Sequence, residues 1–471
     1  MAKYVKTEQG YIDASICFPS PFKPAGKSYL TFSSPKSFTL ALNNPAVKWD
    51  GTIEYFASDK TWTAWDGKTT LSAVADDGEY LLYLRGTGNR IIIGDVPAGI
   101  WVLSGTNIKC IGNIDNLLDY TTVESGNHPT MADDCYQYMF RGCTSLISAP
   151  ELPATTLAKN CYKNMFQGCT SLISAPELPA TTLTNNCYQN MFQGCTSLTQ
   201  APALPATTLA NNCYQYMFQG CTSLISAPEL PATTLTNNCY QSMFQGCTSL
   251  TQAPALPATT LTNNCYQYMF QGCTSLISAP ELPATTLANN CYKNMFQGCA
   301  SLISAPELPA TTLADFCYQN MFRDCTSLIS APELPATTLA DFCYYRMFNG
   351  CYALKLSTTQ TGEYNQAYRI PTTGDGTTAR EALNNMFPDK GTTVTITPEI
   401  NKTYYLSTDN MIVRDTKVAT LNGYVGSMIE VAIGKYADTA EYIIPSSTQG
   451  STKKFKITVD DSGAITTTEV T

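Results

Sequence analysis

Twenty cysteines and a single histidine, His128, invite a chemical reading of this 471-residue chain. Thiols can form disulfides, hold zinc, or act as nucleophiles when their pKa is lowered. Spacing decides among these. Eighteen cysteines fall at two positions eight residues apart. The first is Cys135, Cys161, Cys187, Cys213, Cys239, Cys265, Cys291, Cys317 and Cys343. The second is Cys143, Cys169, Cys195, Cys221, Cys247, Cys273, Cys299, Cys325 and Cys351. Only Cys17 and Cys110 lie elsewhere. C-x7-C is not the C-x2–4-C of structural zinc sites, and one histidine leaves little for imidazole catalysis. Nine members per position also leave one unpaired in any regular disulfide ladder. The expected role is a small, reduced, buried hydrophobe. No metal or other cofactor is expected.

Carboxylates are the other candidates. Asp76-Asp77, Asp133-Asp134 and Asp460-Asp461 are adjacent acids. Paired carboxylates across a cleft hydrolyse glycosides, but neighbours in turn-like segments suit solvent, and Asp133-Asp134 suit a helix cap. No G-x-S-x-G, P-loop or dinucleotide fingerprint occurs in its context, and RGTGNR (85–90) reads as a hairpin turn. The chain is expected not to be an enzyme, with a glycan hydrolase as the remote alternative.

The cysteines belong to a repeat. CYQYMFRGCTSLISAPELPATTLAKN begins at Cys135 and recurs every 26 residues, with a ninth, incomplete copy from Cys343. Cys161, Met165, Phe166 and Cys169 make an apolar stripe at helical spacing, with Asn160 as N-cap and Gly168 as stop. Pro176 and Pro179 suit a short extended segment after it, and ATTL returns the chain, burying Leu183. Each copy thus predicts a short helix, a short strand and a return. Such a unit cannot bury its own apolar face, but stacked neighbours can. Nine coils at the strand spacing give a rod of roughly 45 Å.

Copies differ before the Met, at Tyr138, Asn164, Asn190, Tyr216, Ser242, Tyr268, Asn294, Asn320 and Arg346. This position is expected on the outward helix face and is the candidate binding position. The strand alternates ISAPEL with TQAPAL, so Glu151, Glu177 and Glu229 give way to Ala203 and Ala255. Residues 135–350 carry six basic and nine acidic side chains, and the chain as a whole is −9. The repeat surface is therefore nearly neutral and rich in Thr, Ser, Asn, Gln and Tyr, suited to glycan or protein contact or to a plain spacer. The acidic balance argues against nucleic-acid binding.

Residues 1–120 alternate like β-strands between turn signals and read as a sandwich-like domain. Its four tryptophans, Trp49, Trp62, Trp65 and Trp101, are expected in its core. CIGNIDNLLDY (110–120) reads as the cap of the first coil, and His128 as a solvated linker residue. Residues 121–390 form the repeat array. YRIPTTGDGTTAREALNNMF (368–387), ending in Met386-Phe387, reads as a degenerate last repeat. Residues 391–471 read as a C-terminal β-domain, with NMIV and MIEVAI among its strands. No apolar run reaches the ~18 residues of a membrane span, so no membrane insertion is expected. No apolar h-region follows Lys3 and Lys6, so synthesis in a reducing cytoplasm without a signal peptide is expected.

MFQGCTSL followed by a strand and LP resembles the BspA-type leucine-rich repeats, in which F-x-x-C ends a helix and a Leu-rich strand follows. The resemblance covers about 135–351. It implies an α/β leucine-rich-repeat solenoid of nine 26-residue strand–helix coils between β-rich flanks. The family occurs in bacterial surface adhesins, protist proteins and gut bacteriophage. WDGTIEYFASDKTWTAWDG through LYLRGTGN resembles segments that precede such repeats in phage and gut-bacterial proteins, and MAKYVKTEQGYIDAS resembles phage fibre starts. Together these imply a virion protein, a tail- or head-associated fibre or adhesin. Its N-terminal region would meet other virion proteins and its repeats a host-surface glycan or protein. The alternative is a bacterial cell-surface adhesin of BspA type. Fibre analogy leaves a homo-oligomer open, although no heptad run supports a coiled coil.

Overall fold

The computed structural model describes residues 4–7, 10–13, 22–26, 29–43, 49–92, 101–362, 366–368, 379–388, 395–399, 403–406, 442–445, 454–459 and 465–470. Cys17, Asp460-Asp461, NMIV and MIEVAI lie outside these residues. The chain divides into two compact units, 1–408 and 409–471.

In the first unit, strands β1 (Tyr4–Thr7) and β2 (Gly10–Asp13) form a hairpin. Ten further strands follow before and at the first repeat: β3 (Leu30–Ser34), β4 (Thr39–Leu42), β5 (Thr52–Phe56), β6 (Trp62–Ala64), β7 (Leu71–Ser72), β8 (Val74–Asp76), β9 (Glu79–Thr87), β10 (Trp101–Ser104), β11 (Ile108–Ile111) and β12 (Leu146–Ser148). They build a seven-stranded sheet, β12-β11-β3-β9-β5-β6 with β8 on β9, and a three-stranded sheet, β10-β4-β7. Alternation puts Leu30, Phe32, Ile53, Leu82 and Leu84 of one sheet and Leu40, Leu71, Trp101 and Leu103 of the other into a shared core. Trp65 and Trp101 are buried there, whereas Trp49 and Trp62 are half-buried. The single helix among the described residues, α1 (Asn116–Glu124), is broken at Asp119.

The repeats do not form strand–helix coils. In each copy the stretch read as a helix is a ribbon of consecutive β-turns. In the second coil the N–H groups of Lys163, Met165, Gln167 and Cys169 donate to carbonyls three residues back, at Asn160, Tyr162, Asn164 and Phe166. The intervening N–H groups of Tyr162, Asn164, Phe166 and Gly168 donate to Cys187, Gln189, Met191 and Gln193 of the next coil, at 2.7–3.0 Å. Every donor is satisfied, half of them by a neighbour. Asn160, Asn164 and Gly168 sit at φ +58°, +57° and +74°, which no right-handed helix allows. They supply the left-handed residue of every second turn, as type II turns require. The pattern repeats every four residues, close to the helical 3.6. Cys161, Met165, Phe166 and Cys169 are therefore buried as a helix would bury them.

The strand is also shorter than expected. After β12 it survives as one parallel bridge per coil, running Ser148, Ser174, Gln200, Ser226, Gln252, Ser278, Ser304 and Ser330. Prolines on both sides of the glutamate or alanine lack the N–H groups that a longer ladder needs. A second set of bridges joins Thr182 to Thr208, Thr260 to Thr286, and Thr286 to Thr312.

Identical residues stack from coil to coil. Tyr136 through Tyr344 lie ring on ring at 5.8–5.9 Å, and Phe140 through Phe348 at 5.6–5.7 Å. Asn160, Asn186, Asn212 and Asn238 form an amide ladder at 2.8–2.9 Å. Gln167, Gln193, Gln219, Gln245, Gln271 and Gln297 form another. Such ladders satisfy every rung with the same group on its neighbour.

Both ends of the array are closed. At the start, Tyr136 N–H donates to the Ile92 carbonyl, Trp101 N–H to Met139 and Ile108 N–H to Ser145. The N-terminal region thus supplies the edge that a preceding coil would. At the end, Phe342, Tyr344, Arg346 and Phe348 donate to Arg380, Ala382, Asn384 and Met386, and Phe387 stacks on Phe348 at 4.9 Å. Beyond it, β15 (Phe387–Pro388) pairs with β16 (Thr395–Ile396), and β17 (Tyr404–Leu406) pairs with β13 (Leu356–Ser357) and β14 (Gln366–Tyr368). The second unit holds an antiparallel sheet of β18 (Tyr442–Pro445), β19 (Lys454–Val459) and β20 (Ile465–Val470).

Candidate binding surface

The cysteines face inward. All nineteen described cysteines are buried and unpaired. Those of the second position donate from Sγ to the carbonyl of the phenylalanine in the preceding coil, as Cys195 does to Phe166 at 3.1 Å. Cys143 donates instead to Trp101 at 2.9 Å. Burial pushes the thiols of Cys187, Cys221, Cys239, Cys273 and Cys291 up to about 12. A thiol of that pKa is almost wholly protonated at neutral pH and is a poor nucleophile.

The candidate positions before the Met are not on an outward helix face. They are the left-handed residues at the middle of the turn ribbon, with φ between +52° and +60° in all nine copies. Asn164, Ser242 and Asn294 are buried. Tyr138, Asn190, Tyr216, Tyr268, Asn320 and Arg346 are half-buried. The ribbon leaves their backbone no other conformation, because hydrogen bonds hold it on both sides. Asn190→Ala is therefore expected to destabilise the protein by up to about 1 kcal/mol, because alanine lacks the short polar side chain whose local hydrogen bonds ease asparagine into the left-handed region. In a helix the same change would stabilise by about 0.5 kcal/mol. The sign of the shift in a denaturant titration separates the two.

The exposed face lies elsewhere in the repeat. Eight threonine pairs, one in each complete coil from Thr155-Thr156 to Thr337-Thr338, are exposed. So is the column of Glu151, Glu177, Ala203, Glu229, Ala255, Glu281, Glu307 and Glu333. Beside it Ile173 and Ile225 are 55% and 56% exposed. Recurrence of ATTL was visible in the sequence. Its exposure was not, because a β-branched run suits a buried strand equally well.

The carboxylate candidates do not converge. Asp133 accepts the Lys159 N–H at 3.0 Å and Asp134 the Asn160 side-chain amide at 2.8 Å, so they seat the second coil rather than cap a helix. Asp76 and Asp77 lie far along the chain, at the β8–β9 turn. Among the described residues, no group of three or more His, Cys, Asp or Glu is placed to hold a metal ion.

His128 is exposed, but it is not alone. Its Nδ1 lies 3.4 Å from Oδ2 of Asp115, which is 1% exposed and has no partner for Oδ1. Burial raises the Asp115 carboxyl above its ordinary 3.8, and His128 opposes the rise. A carboxyl raised by folding adds stability while protonated and loses it as pH climbs from 3.8 through the raised value. Asp115→Asn is expected to flatten that acid-range loss, measured as unfolding free energy against pH. An unchanged slope would mean that Asp115 does not titrate with folding.

No helix among the described residues is long and apolar enough to cross a membrane. No curated protein and no solved structure matches the chain. A family model for the BspA type leucine rich repeat region matches it in six copies, over residues 115–251, 203–329 and 241–361. Just over half the chain is covered, and the matched span contains every turn ribbon from Cys135 to Cys351. With that coverage and the stacked coils beneath it, the chain belongs to the BspA type leucine rich repeat family.

Proposed function

We propose that this is a non-enzymatic bacteriophage virion protein, a tail- or head-associated fibre or adhesin. The N-terminal region attaches to other virion proteins, and the repeats meet a host-surface glycan or protein. The observation that carries the reading is the identical exposed threonine pair in eight successive coils. A neutral hydroxyl-rich contact is weak once, but eight in register on one rigid stack act together through high effective concentration. The protein works as part of a particle, without nucleic-acid contact, cofactor or membrane insertion.

Family membership equally suits a bacterial cell-surface adhesin, and one experiment separates the two. Antibody to the protein should label purified virions and leave uninfected cell envelopes unlabelled. Labelling of uninfected envelopes alone would overturn the virion reading. Binding is tested on a host-glycan array and on intact host cells. Replacing both threonines by alanine in the four central coils, Thr207-Thr208, Thr233-Thr234, Thr259-Thr260 and Thr285-Thr286, should lower retention at least tenfold. Exposed positions of this kind change stability by only about 0.5 kcal/mol each.

A further inference from the structure

An open groove of about 420 Å³ lies on the face of the large N-terminal sheet opposite its shared core. Strand register builds it. Ile111, Thr31 and Tyr83 fall in one row across β11, β3 and β9, and Leu81 pairs with Val74 one row away. The β8–β9 turn, with Asp77 at φ +43° and Gly78 at +87°, brings Asp76 and Glu79 opposite each other at the rim. Tyr29 packs edge-on against Tyr83 at 5.1 Å. The floor is therefore aromatic and aliphatic, and the rim is acidic.

Asp76 is out of keeping with a merely structural turn. It is 8% exposed, it lines the groove, and its Oδ1 has no hydrogen-bond partner. A carboxylate in that state is costly unless a donor reaches it. Among the described residues, Asp76, Asp77 and Glu79 share the groove with one cation, Lys23. The described lining is thus short of positive charge, with three carboxylates against one ammonium. Burial, Tyr29 and both rim acids push the Tyr83 phenol up to about 12, so its ring stays neutral at physiological pH. A neutral phenol ring offers its face to a cation, and Leu81 with the half-exposed Ile111 offers room for an aliphatic stem.

We propose that this groove binds an ammonium or guanidinium group carried on an aliphatic stem. The cation meets Asp76 and the acidic rim, and the stem lies on Leu81 and Ile111. Its source is either a lysine or arginine side chain of a partner protein or a small free amine. Lys23 is the intrinsic competitor for the same carboxylates. The site does not depend on what the repeats bind.

The test is saturation-transfer NMR on the full chain. The probes are N-acetyl-lysine-N-methylamide, N-acetyl-arginine-N-methylamide, cadaverine, the uncharged N-acetyl-norleucine-N-methylamide and methyl glucoside. A cationic probe should saturate while the norleucine analogue and the glucoside do not, and the signal should fall with added salt. Signal from the amino-acid amides alone identifies a protein side chain. Signal from cadaverine alone identifies a free amine, and signal from both supports the shared chemistry. Asp76→Asn should weaken binding at least tenfold. Asp77→Asn with Glu79→Gln, both exposed and safe for folding, should weaken it at least threefold. Lys23→Gln should strengthen it, and Asp133→Asn, outside the groove, should leave it unchanged. No saturation by any cation, equal saturation by the norleucine analogue, or saturation by the glucoside alone would overturn the proposal. So would binding indifferent to the rim substitutions.

Discussion

Phe218→Ala should destabilise the repeat stack by about 3–5 kcal/mol, the usual cost of emptying a buried phenylalanine site. Phe218 is fully buried, and its ring lies between Phe192 and Phe244 at 5.7 Å on each side. The neighbours cannot close the gap, because each ring is tied to its own coil by backbone bonds. Phe218 N–H donates to Met243 at 2.9 Å, and its carbonyl accepts from Cys221 N–H and Cys247 Sγ at 3.0 and 3.1 Å. The loss should stay local, since each coil touches only its neighbours. Cysteines provide the readout. Thiol labelling resolved by mass spectrometry should show Cys221 and Cys247 reacting well before Cys143 or Cys351. The unaltered protein should label at none of these without denaturant, because all are buried. A loss below about 1 kcal/mol, or labelling spread evenly over the array, would contradict a core built from stacked rings.

Trp101→Ala should cost a similar 3–5 kcal/mol, but at the joint between the N-terminal sheets and the first coil. Trp101 is fully buried, with its ring 5.7 Å from Trp65, 6.0 Å from Phe140 and 6.3 Å from Phe32. It thus touches both sheets and the first member of the phenylalanine stack. Its backbone is bonded to the coil twice, through Met139 and through Cys143 Sγ. Losing the ring should uncouple the two parts, so that one calorimetric transition becomes two and Cys143 labels first. Trp101→Phe is the control. It keeps most of the apolar contact and removes an indole N–H that has no partner, so it should cost less than half as much. Equal losses for both variants would mean that packing is not what makes the joint.

The 26-residue period, the buried set and the family were legible in the sequence, since copies reveal what each coil keeps inside. Cys161, Met165, Phe166, Leu172, Leu178 and Leu183 are all buried. The asparagines and glycines that allow left-handed turns were also visible, at Asn160, Asn164 and Gly168. Their meaning was not. N-cap, helix interior and helix stop fit the same letters, and a four-residue turn ribbon buries the same side chains as a helix.

What decided between them was where the alternate N–H groups find acceptors. Those acceptors lie in the next coil, as Cys187 does for Tyr162 and Gln189 for Asn164, and no local pattern can name them. The same holds for exposure. The variable position looked outward only while it stood on a helix, and the ribbon turned it into a column of buried and half-buried residues. The groove beside Asp76 depends on the register of four strands, β11, β3, β9 and β8. Sequence by itself determined which residues must be inside and how often the chain must turn. Only the tertiary structure decided how the backbone is satisfied, and with that which side chains are left for a partner. The physical reason is that burial is written residue by residue, whereas a hydrogen bond between coils belongs to two residues far apart in the chain.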